Sequence, residues 1–441
     1  MGGGCSASGH AVILGGGVAG LLAARVLADQ FDHVTVLERA SLPCHAGQGA
    51  PRPRPGVPQG RCLHLLMAPG ARMFDRLLPG WRQELVGMGA IPFDAVRDVL
   101  LPPLPFRAPA LPSGDLLYGC SRGLLEAMLR NLVLRRGAIT LRDGCEVRGL
   151  VADDQGRQVK GVVVAHVRGK RLERVPADLV VDAGGASSFL PRWLAASGPI
   201  GAGHLPVTLV RGRMTYLARW YALSASLQPP WCCLSIAPSA ATGGRAAMLL
   251  RVEHGHWGLV LLAPSDHPLP TDDSGLLMFS HGLADGGRLT AMLCQARPAS
   301  PVHHFGASGS HWRHYEMWRP WPAGLVALGD SVCALDPYYG LGMSLAADAA
   351  CTLQTSLPDR RQAGWEGSFQ RRLASQVGRI WARVIEGRDC HRLPKGDEPS
   401  ITAFATWAMQ DAPDPEPAGD QGRACARPRR RRSLTSLGPV D

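Results

Sequence analysis

The stretch VILGGGVAGLLAARVL, residues 12–27, limits the possible folds more than any other part of the chain. A short apolar run ends in Gly15–Gly16–Gly17, another glycine follows at 20, and apolar residues then continue at helical spacing. So much bare backbone is needed where a chain turns sharply from strand into helix, because glycine alone adopts left-handed dihedrals cheaply and carries no Cβ. HVTVLER, residues 33–39, reads as a second apolar strand. The chain therefore opens with strand, glycine turn, helix and strand, one βαβ unit.

Gly15, Gly17 and Gly20 satisfy the spacing G-x-G-x-x-G. The first permits the turn, the second lets backbone approach a pyrophosphate, and the third lets the helix pack closely on the strand. Phosphate oxygens would then meet the N–H groups and the positive end of the helix beginning at Val18 and Ala19. Glu38 closes the second strand near the offset expected of a ribose-binding acid. Its carboxylate would accept hydrogen bonds from ribose hydroxyls and repel a 2′-phosphate. The adjacent Arg39 is assigned to the same end of the ligand. These residues predict a dinucleotide site without separating NAD from FAD.

Later segments extend the α/β pattern. CSRGLLEAMLRNLVLRRG, residues 120–137, predicts a helix with Ser121 as its N-cap. GVVVAHV and ADLVVDAGG read as strands. Between about 205 and 310 the texture changes to alternating, aromatic-bearing strands, which predicts an antiparallel sheet in a second lobe inserted into the first. GLVALGD, residues 324–330, returns to a buried parallel-type strand, followed by a helix from about Leu341 and an amphipathic helix over 365–386. The Pro- and Arg-rich stretch at 49–66 cannot be regular through its prolines.

Composition sets the outer limits. Charged residues make up 19% and hydrophobic ones 46% of 441 residues, which predicts a folded protein. No apolar run reaches the roughly 18 residues of a membrane helix, and the N-terminus lacks a secretory signature. Twelve cysteines without a C-x-x-C pair suit reduced thiols, not disulfides or a metal site. Together these predict a cytoplasmic protein. The formal charge of +11 has much of its local excess in ARPRRRR, residues 426–432, inside a Pro- and Gly-rich tail. Such a run reads as a disordered solvated end, making at most peripheral contact with an anionic membrane, and not as a nucleic-acid surface. MGGGCS matches the myristoylation pattern at Gly2 but reads as a lead-in.

Residues 324–350, GLVALGDSVCALDPYYGLGMSLAADAA, place Gly329–Asp330 after a strand and PYYGLGMS before a helix. Here the chain resembles the FAD-dependent monooxygenases of the aromatic-hydroxylase superfamily, closest to the branch of polyether epoxidases and squalene-epoxidase-like enzymes. The resemblance implies that Asp330 holds the ribityl chain, and that Pro337, Gly340, Gly342 and Met343 lie along the pyrimidine edge of the flavin. Backbone N–H groups of Gly342, Met343 and Ser344 would face the negative charge of the reduced ring there. RPGVPQGRCLHLL is similar to that branch's loop after the second strand, which implies Arg54 and Gln59 near the cofactor and makes Arg61 and His64 the catalytic candidates. CSRGLLEAMLR implies Arg122 near the cofactor, and GCEVRGL implies backbone around Val147 against the adenine. The similarity runs over about residues 10–390. One segment departs: the superfamily has Asp-Gly, or Thr-Gly followed by arginine, where this chain has Gly184–Gly185–Ala186. That departure bears on how NAD(P)H is handled and on turnover itself.

The implied architecture is α/β: a discontinuous, Rossmann-like FAD-binding domain of GR2 type (9–90, 118–200 and 311–395) with an inserted α+β antiparallel-sheet substrate domain (91–117 and 201–310), then the basic tail from 396. The implied function is an FAD-dependent monooxygenase that epoxidises or hydroxylates a lipophilic alkene or aromatic compound through a flavin C4a-hydroperoxide. O2 is co-substrate, and NAD(P)H or a partner flavin reductase supplies electrons. Such chemistry needs a water-poor pocket, with Tyr216, Trp220 and Trp231 as lining candidates, joined by Tyr221 and Trp257. His304 and His314 are acid–base candidates beside His64. Three other readings stay open: a flavin-dependent reductase or dehydrogenase of prenyl chains, a halogenase (whose Trp-x-Trp-x-Ile-Pro-type motif is absent), and a catalytically degenerate FAD-binding protein. Gly17→Val is expected to block the pyrophosphate approach and yield colourless protein; an unchanged yellow holoprotein spectrum would refute the assignment.

Overall fold

Strand β1 (His10–Leu14), helix α1 (Val18–Leu27) and strand β2 (His33–Leu37) realise the expected βαβ unit. They belong to a computed structural model that describes residues 9–42, 58–95, 97–102, 116–166, 171–196, 204–224, 229–306 and 309–390. Arg54, the Gly2 pattern and the basic run at 426–432 lie outside the described residues, as does the side chain of Gln59. All the described residues fall within one compact unit, Met1–Met409.

Three further strands complete a parallel sheet: β3 (Ile139–Arg142), β4 (Leu179–Asp182) and β5 (Leu325–Ala327), in the order β5-β4-β1-β2-β3. From β1 the chain goes to β2 on one side and later to β4 on the other, so the sheet reverses its winding between β1 and β4. In open α/β sheets ligands lie outside the carboxyl ends of the strands at such a point. Ala11, Val12 and Ile13 are fully buried, as are Val180 and Val181. Unbroken apolar runs like these suit strands covered on both faces. Helix α1 is buried along most of its length, from Val18 through Leu27, with little polar surface to place in water.

Three later helices frame this sheet: α2 (Arg122–Leu134), α3 (Gly342–Ser356) and α4 (Trp365–Cys390). Ser121 caps α2 as expected, its hydroxyl accepting from the Leu124 N–H. The segment after the prolines is more regular than its composition predicts. Leu63–Leu66 forms a strand, because the last proline is Pro58 and the chain beyond it alternates freely. That strand pairs with Leu116–Ser121, which also pairs with Ile91–Asp94. One three-stranded sheet thus crosses the expected boundaries near 90 and 117.

The antiparallel texture between 205 and 310 becomes a seven-stranded sheet built on Met214–Ala222, His256–Pro264, Ala246–Arg251 and Cys233–Ile236. Val99–Leu100 joins its edge in parallel. One face carries Leu217, Tyr221, Trp231 and Trp257 under the helices Asp273–His281 and Arg288–Gln295. Along a strand successive side chains alternate faces, so Trp220 lies on the other side, packed with Phe93, Leu117 and Leu250 and touched by Leu63.

Gly20 shows how closely the first unit is packed. A Cβ there would lie 1.9 Å from the Gly15 carbonyl oxygen, and the obstacle is backbone. Gly20→Ala is therefore expected to destabilise the chain by roughly 1–3 kcal/mol or more. Gly87→Ala, where nothing lies within 4 Å, should be neutral or mildly stabilising. Urea midpoints of the two variants test the contrast, and equal midpoints would refute it.

Candidate functional site

The register of the parallel sheet puts Leu37, Leu14, Asp182 and Ala327 in one row at the carboxyl ends of β2, β1, β4 and β5. The ladder continues one residue further: the N–H of Gly15 donates to Leu37 (2.8 Å), that of Ala183 to Leu14 (3.0 Å) and that of Leu328 to Asp182 (3.0 Å). Glu38, the glycine turn and the Gly329–Asp330 turn consequently lie along a single edge. Three strand spacings separate β2 from β5, about 14–15 Å, a length suited to an extended dinucleotide.

The first glycine of the motif has the conformation its position requires. Gly15 sits at φ +106°, and a Cβ on it would meet the Ala183 carbonyl oxygen at 2.5 Å. Gly17 is the N-cap of α1; no side chain caps the helix and its first turn holds no acid. The same holds for α3, whose N-cap is Leu341. Both helices thus present N–H groups and a positive end that their own side chains leave unsatisfied. They are held close together at this edge. A Cβ on Gly329, at φ +66°, would lie 2.6 Å from the Ala19 Cβ, so the turn carrying Asp330 rests on the first turn of α1.

Four acids surround this edge in different states. Glu38 is buried, with Oε2 accepting from the Gly16 N–H and Oε1 from the Ala40 N–H, each at 2.8 Å. Arg39 beside it is exposed. Asp182 accepts from the Gly184 N–H (3.0 Å) and the Ser188 hydroxyl (2.6 Å), and burial pushes its carboxyl up. Asp336 accepts from the Tyr338 N–H (3.1 Å) and from the Tyr216 hydroxyl. Asp330 differs: among the described residues no donor reaches its carboxylate. Burial pushes it up to about 6, against the opposing pull of Arg122. A desolvated carboxylate without donors fits a ligand that brings hydroxyl groups, as a ribityl or ribose chain does.

Arg122 is the charge common to several of the expected residues. Its Nε donates to Glu126 (2.7 Å), whose carboxylate is almost fully buried. The guanidinium influences both Asp330 and His64, which places the three in one neighbourhood. His64 is lowered to about 3 by burial first and then by Arg122. Its Nδ1 lies 3.1 Å from the Cys62 carbonyl. A neutral ring must donate there, so Nε2 is left as an acceptor. Arg61 is exposed and reaches only as far as His303, at 3.4 Å.

Other sequence candidates separate. Val147 begins beyond Cys145, whose N–H donates to the Glu38 carbonyl (2.9 Å), so its strand starts at the Glu38 end. Pro337, Gly340 (φ +63°), Gly342 and Met343 form the turn and first residues leading into α3. Ser344 is buried there with its hydroxyl unpartnered. Tyr216 and Trp220 share the sheet face turned away from the two helices, whereas Trp231 lies on the opposite face, edge-on to Trp257 at 5.6 Å. His304 is exposed, and His314 is engaged at both nitrogens by Glu316 and Thr208, each at 2.7 Å.

Sequence reasoning missed Arg313 and Glu253. Arg313 donates to the carbonyls of Ala186 (2.6 Å) and Ser331 (2.8 Å), tying the departing loop to the Asp330 turn. The Glu253 carboxylate accepts from the Ser121 N–H (2.9 Å) and hydroxyl, joining the second sheet to the start of α2. Its signal was faint: one acid between two apolar strands. Among the described residues no three His, Cys, Asp or Glu could hold a metal, and no helix is long and apolar enough to cross a membrane.

Over 393 residues the chain is 32% identical to Protein Rv3254 of Mycobacterium tuberculosis, which covers 85% of this chain and 77% of that protein. The chain belongs to the family of Protein Rv3254. It is also 27% identical to a kynurenine 3-monooxygenase of Salinispora arenicola over 387 residues, 80% of this chain and 74% of that one. No protein-family profile matches the chain. Among solved structures, a triple mutant of the flavin-dependent brominase Bmp2 superposes with a TM-score of 0.65 at 16% identity, covering 91% of this chain and 93% of that one. The fold of this Rv3254 relative is therefore that of the FAD-dependent monooxygenases and halogenases.

The Asp330 carboxyl sets a pH dependence. Its value in the folded chain, about 6, stands above the ordinary 3.8. The protonated form is favoured by folding, so this contribution is fully present below about pH 4 and lost as pH rises through about 6. Asp330→Asn is neutral throughout. Cofactor-free variant should be more stable than the parent at about pH 8, by on the order of 1–3 kcal/mol, and lose that advantage near pH 4. Thermal unfolding across this range measures it; parallel profiles would refute it.

Proposed function

We propose that this chain is an FAD-dependent monooxygenase that epoxidises or hydroxylates a lipophilic alkene or aromatic substrate, drawing electrons from NAD(P)H or a partner flavin reductase. The observation that carries the reading is the carboxylate of Asp330, without donors among the described residues, on the same sheet edge as the glycine turn and Glu38. Bound FAD would supply the redox chemistry, accepting a hydride equivalent and passing electrons to O2.

The chain's own residues account for binding, orientation and shielding. The backbone from Gly15 to Ala19 would hold the pyrophosphate against the end of α1, with Glu38 toward one sugar-like segment and Asp330 toward the other. The free end of α3 favours negative charge beside the ring. His64, neutral at working pH, offers a lone pair and holds no exchangeable positive charge. Arg122, anchored by Glu126, keeps a fixed cation nearby. Trp220, Phe93, Leu117 and Leu63 form an apolar wall between the second sheet and the three-stranded sheet. The resemblance supports a lipophilic substrate, whose oxygenation calls for a water-poor pocket. Resemblance at residues 54–66 and 324–350 supports the epoxidase-like branch.

The test begins with an absorbance spectrum of purified protein and the same scan after adding NADPH. The expected result is a flavin spectrum that bleaches on reduction, with O2 consumed one-for-one with NADPH when a polyene or aromatic substrate is present. Turnover of a prenyl chain without O2 would move the reading to the reductase. A bound flavin that no nicotinamide or reductase reduces would make the chain a cofactor-binding protein without turnover.

A further inference from the structure

We propose that Tyr216 is a positioning residue that couples the antiparallel sheet to the redox behaviour of the cofactor, an inference resting on the flavin reading above. Its hydroxyl donates to Asp336 Oδ1, and the same oxygen accepts the Tyr338 N–H at 3.1 Å. The Asp336 N–H in turn donates to the Ser310 hydroxyl at 2.8 Å. Asp336 is thereby tied to three places: strand Met214–Ala222, strand Ser310–Arg313, and the Pro337–Tyr339 turn that runs directly into α3.

The approach around this carboxylate is tight. A Cβ on Gly212 would lie 3.0 Å from Asp336 Oδ2 and 2.6 Å from the Gly309 nitrogen. Tyr216 and Asp336 are both buried, at 6% and 7% exposure, so water competes little for the bond. The turn they hold determines where Gly342, Met343 and Ser344 present the N–H groups of α3, a helix end with no side-chain cap. An anion beside this end is stabilised by its N–H groups and dipole, and the stabilisation falls off within a turn. Small displacements of the turn therefore alter how far a reduced, negatively charged ring is favoured over the oxidised one. The phenol holding it stands in the sheet whose opposite end carries the apolar wall.

Tyr216→Phe removes one oxygen and keeps the ring's packing, and Asp336→Asn keeps an Oδ1 acceptor at a weaker, uncharged site. In cofactor-free protein, amide hydrogen exchange over residues 338–344 should quicken by about tenfold or more in Tyr216→Phe. Exchange over 18–27 should stay as in the parent. In FAD-loaded protein, the flavin midpoint potential should move to a more negative value, with Asp336→Asn between Tyr216→Phe and the parent. Unchanged exchange at 338–344 would overturn the clamp. Faster exchange with an unchanged potential would overturn its bearing on the cofactor. A parent chain that takes up no FAD would remove the flavin reading and the redox half with it, while the exchange result still decides the clamp. Should Tyr216→Phe fail to fold, the same two measurements on Asp336→Asn decide the question.

Discussion

The in-register alignment of β2, β1, β4 and β5 at their carboxyl ends is the constraint from which the rest of the site follows. Hydrogen bonds hold neighbouring strands at a nearly constant spacing, so residues one step past the row of Leu37, Leu14, Asp182 and Ala327 fall at fixed intervals along the edge. A slip of one residue in any strand would turn its side chains to the opposite face. Val180 and Val181 would then exchange faces, and the carboxylates at the ends would leave the edge. Both faces of the sheet are buried, so such a slip would mispack these residues against the wrong neighbours, and that misfit, roughly 1–3 kcal/mol for each strained position, guards the geometry of polar groups that contribute little to the core themselves. Apolar burial inside the sheet thus sets the position of charge outside it.

What the polar groups at that edge do is decided by their partners. Glu38, Asp182 and Asp336 each accept hydrogen bonds from this chain's own N–H or hydroxyl groups. Such acceptance costs little on burial and keeps a carboxylate's orientation. Asp330 has burial and the pull of Arg122 and, among the described residues, no donors, which leaves its acceptor capacity for a ligand. The same contrast separates the helices. Ser121 caps α2 and Glu253 secures that cap, whereas α1 and α3 begin with no side-chain cap. Of these three helices, the capped α2 serves as support, and α1 and α3, whose starts lie at the sheet edge, can meet an anion.

Local features of this arrangement were legible in the sequence. The span of α1, the cap at Ser121 and the turn glycine at 15 depend on residues close to one another in the chain, where propensity and turn chemistry act directly. The parallel strands were legible because both-face burial leaves a nearly unbroken apolar run. The strand Leu63–Leu66 was not, since it alternates beside a proline-rich stretch and is stabilised by Leu116–Ser121, more than fifty positions on. Aromatic residues in the second sheet could be assigned to its core but not to a face. Trp220 lies inside strand Met214–Ala222 and Trp231 just before strand Cys233–Ile236, and they pack on opposite faces. Arg313 and Glu253 were invisible for the same reason: each acts on backbone distant in sequence, and arginine or glutamate beside a strand is ordinarily a solvated surface residue.

The segment that departs from the superfamily pattern shows what such distant contacts do. Gly184–Gly185–Ala186 lacks the side chains the superfamily carries there, and its backbone could wander if nothing else held it. Arg313 supplies the missing restraint from another strand, with one nitrogen on the Ala186 carbonyl and another on the Ser331 carbonyl. Ser188 adds a second tether by donating to Asp182. The strand bearing Arg313 also bears Ser310, which receives the Asp336 N–H. A single short strand, Ser310–Arg313, therefore grips the departing loop, the Asp330 turn and the turn before α3. Loss of side chains in the loop removes contacts it could make outward, yet leaves its backbone fixed relative to the sheet edge. The geometry beneath the sheet edge is thus kept without those side chains.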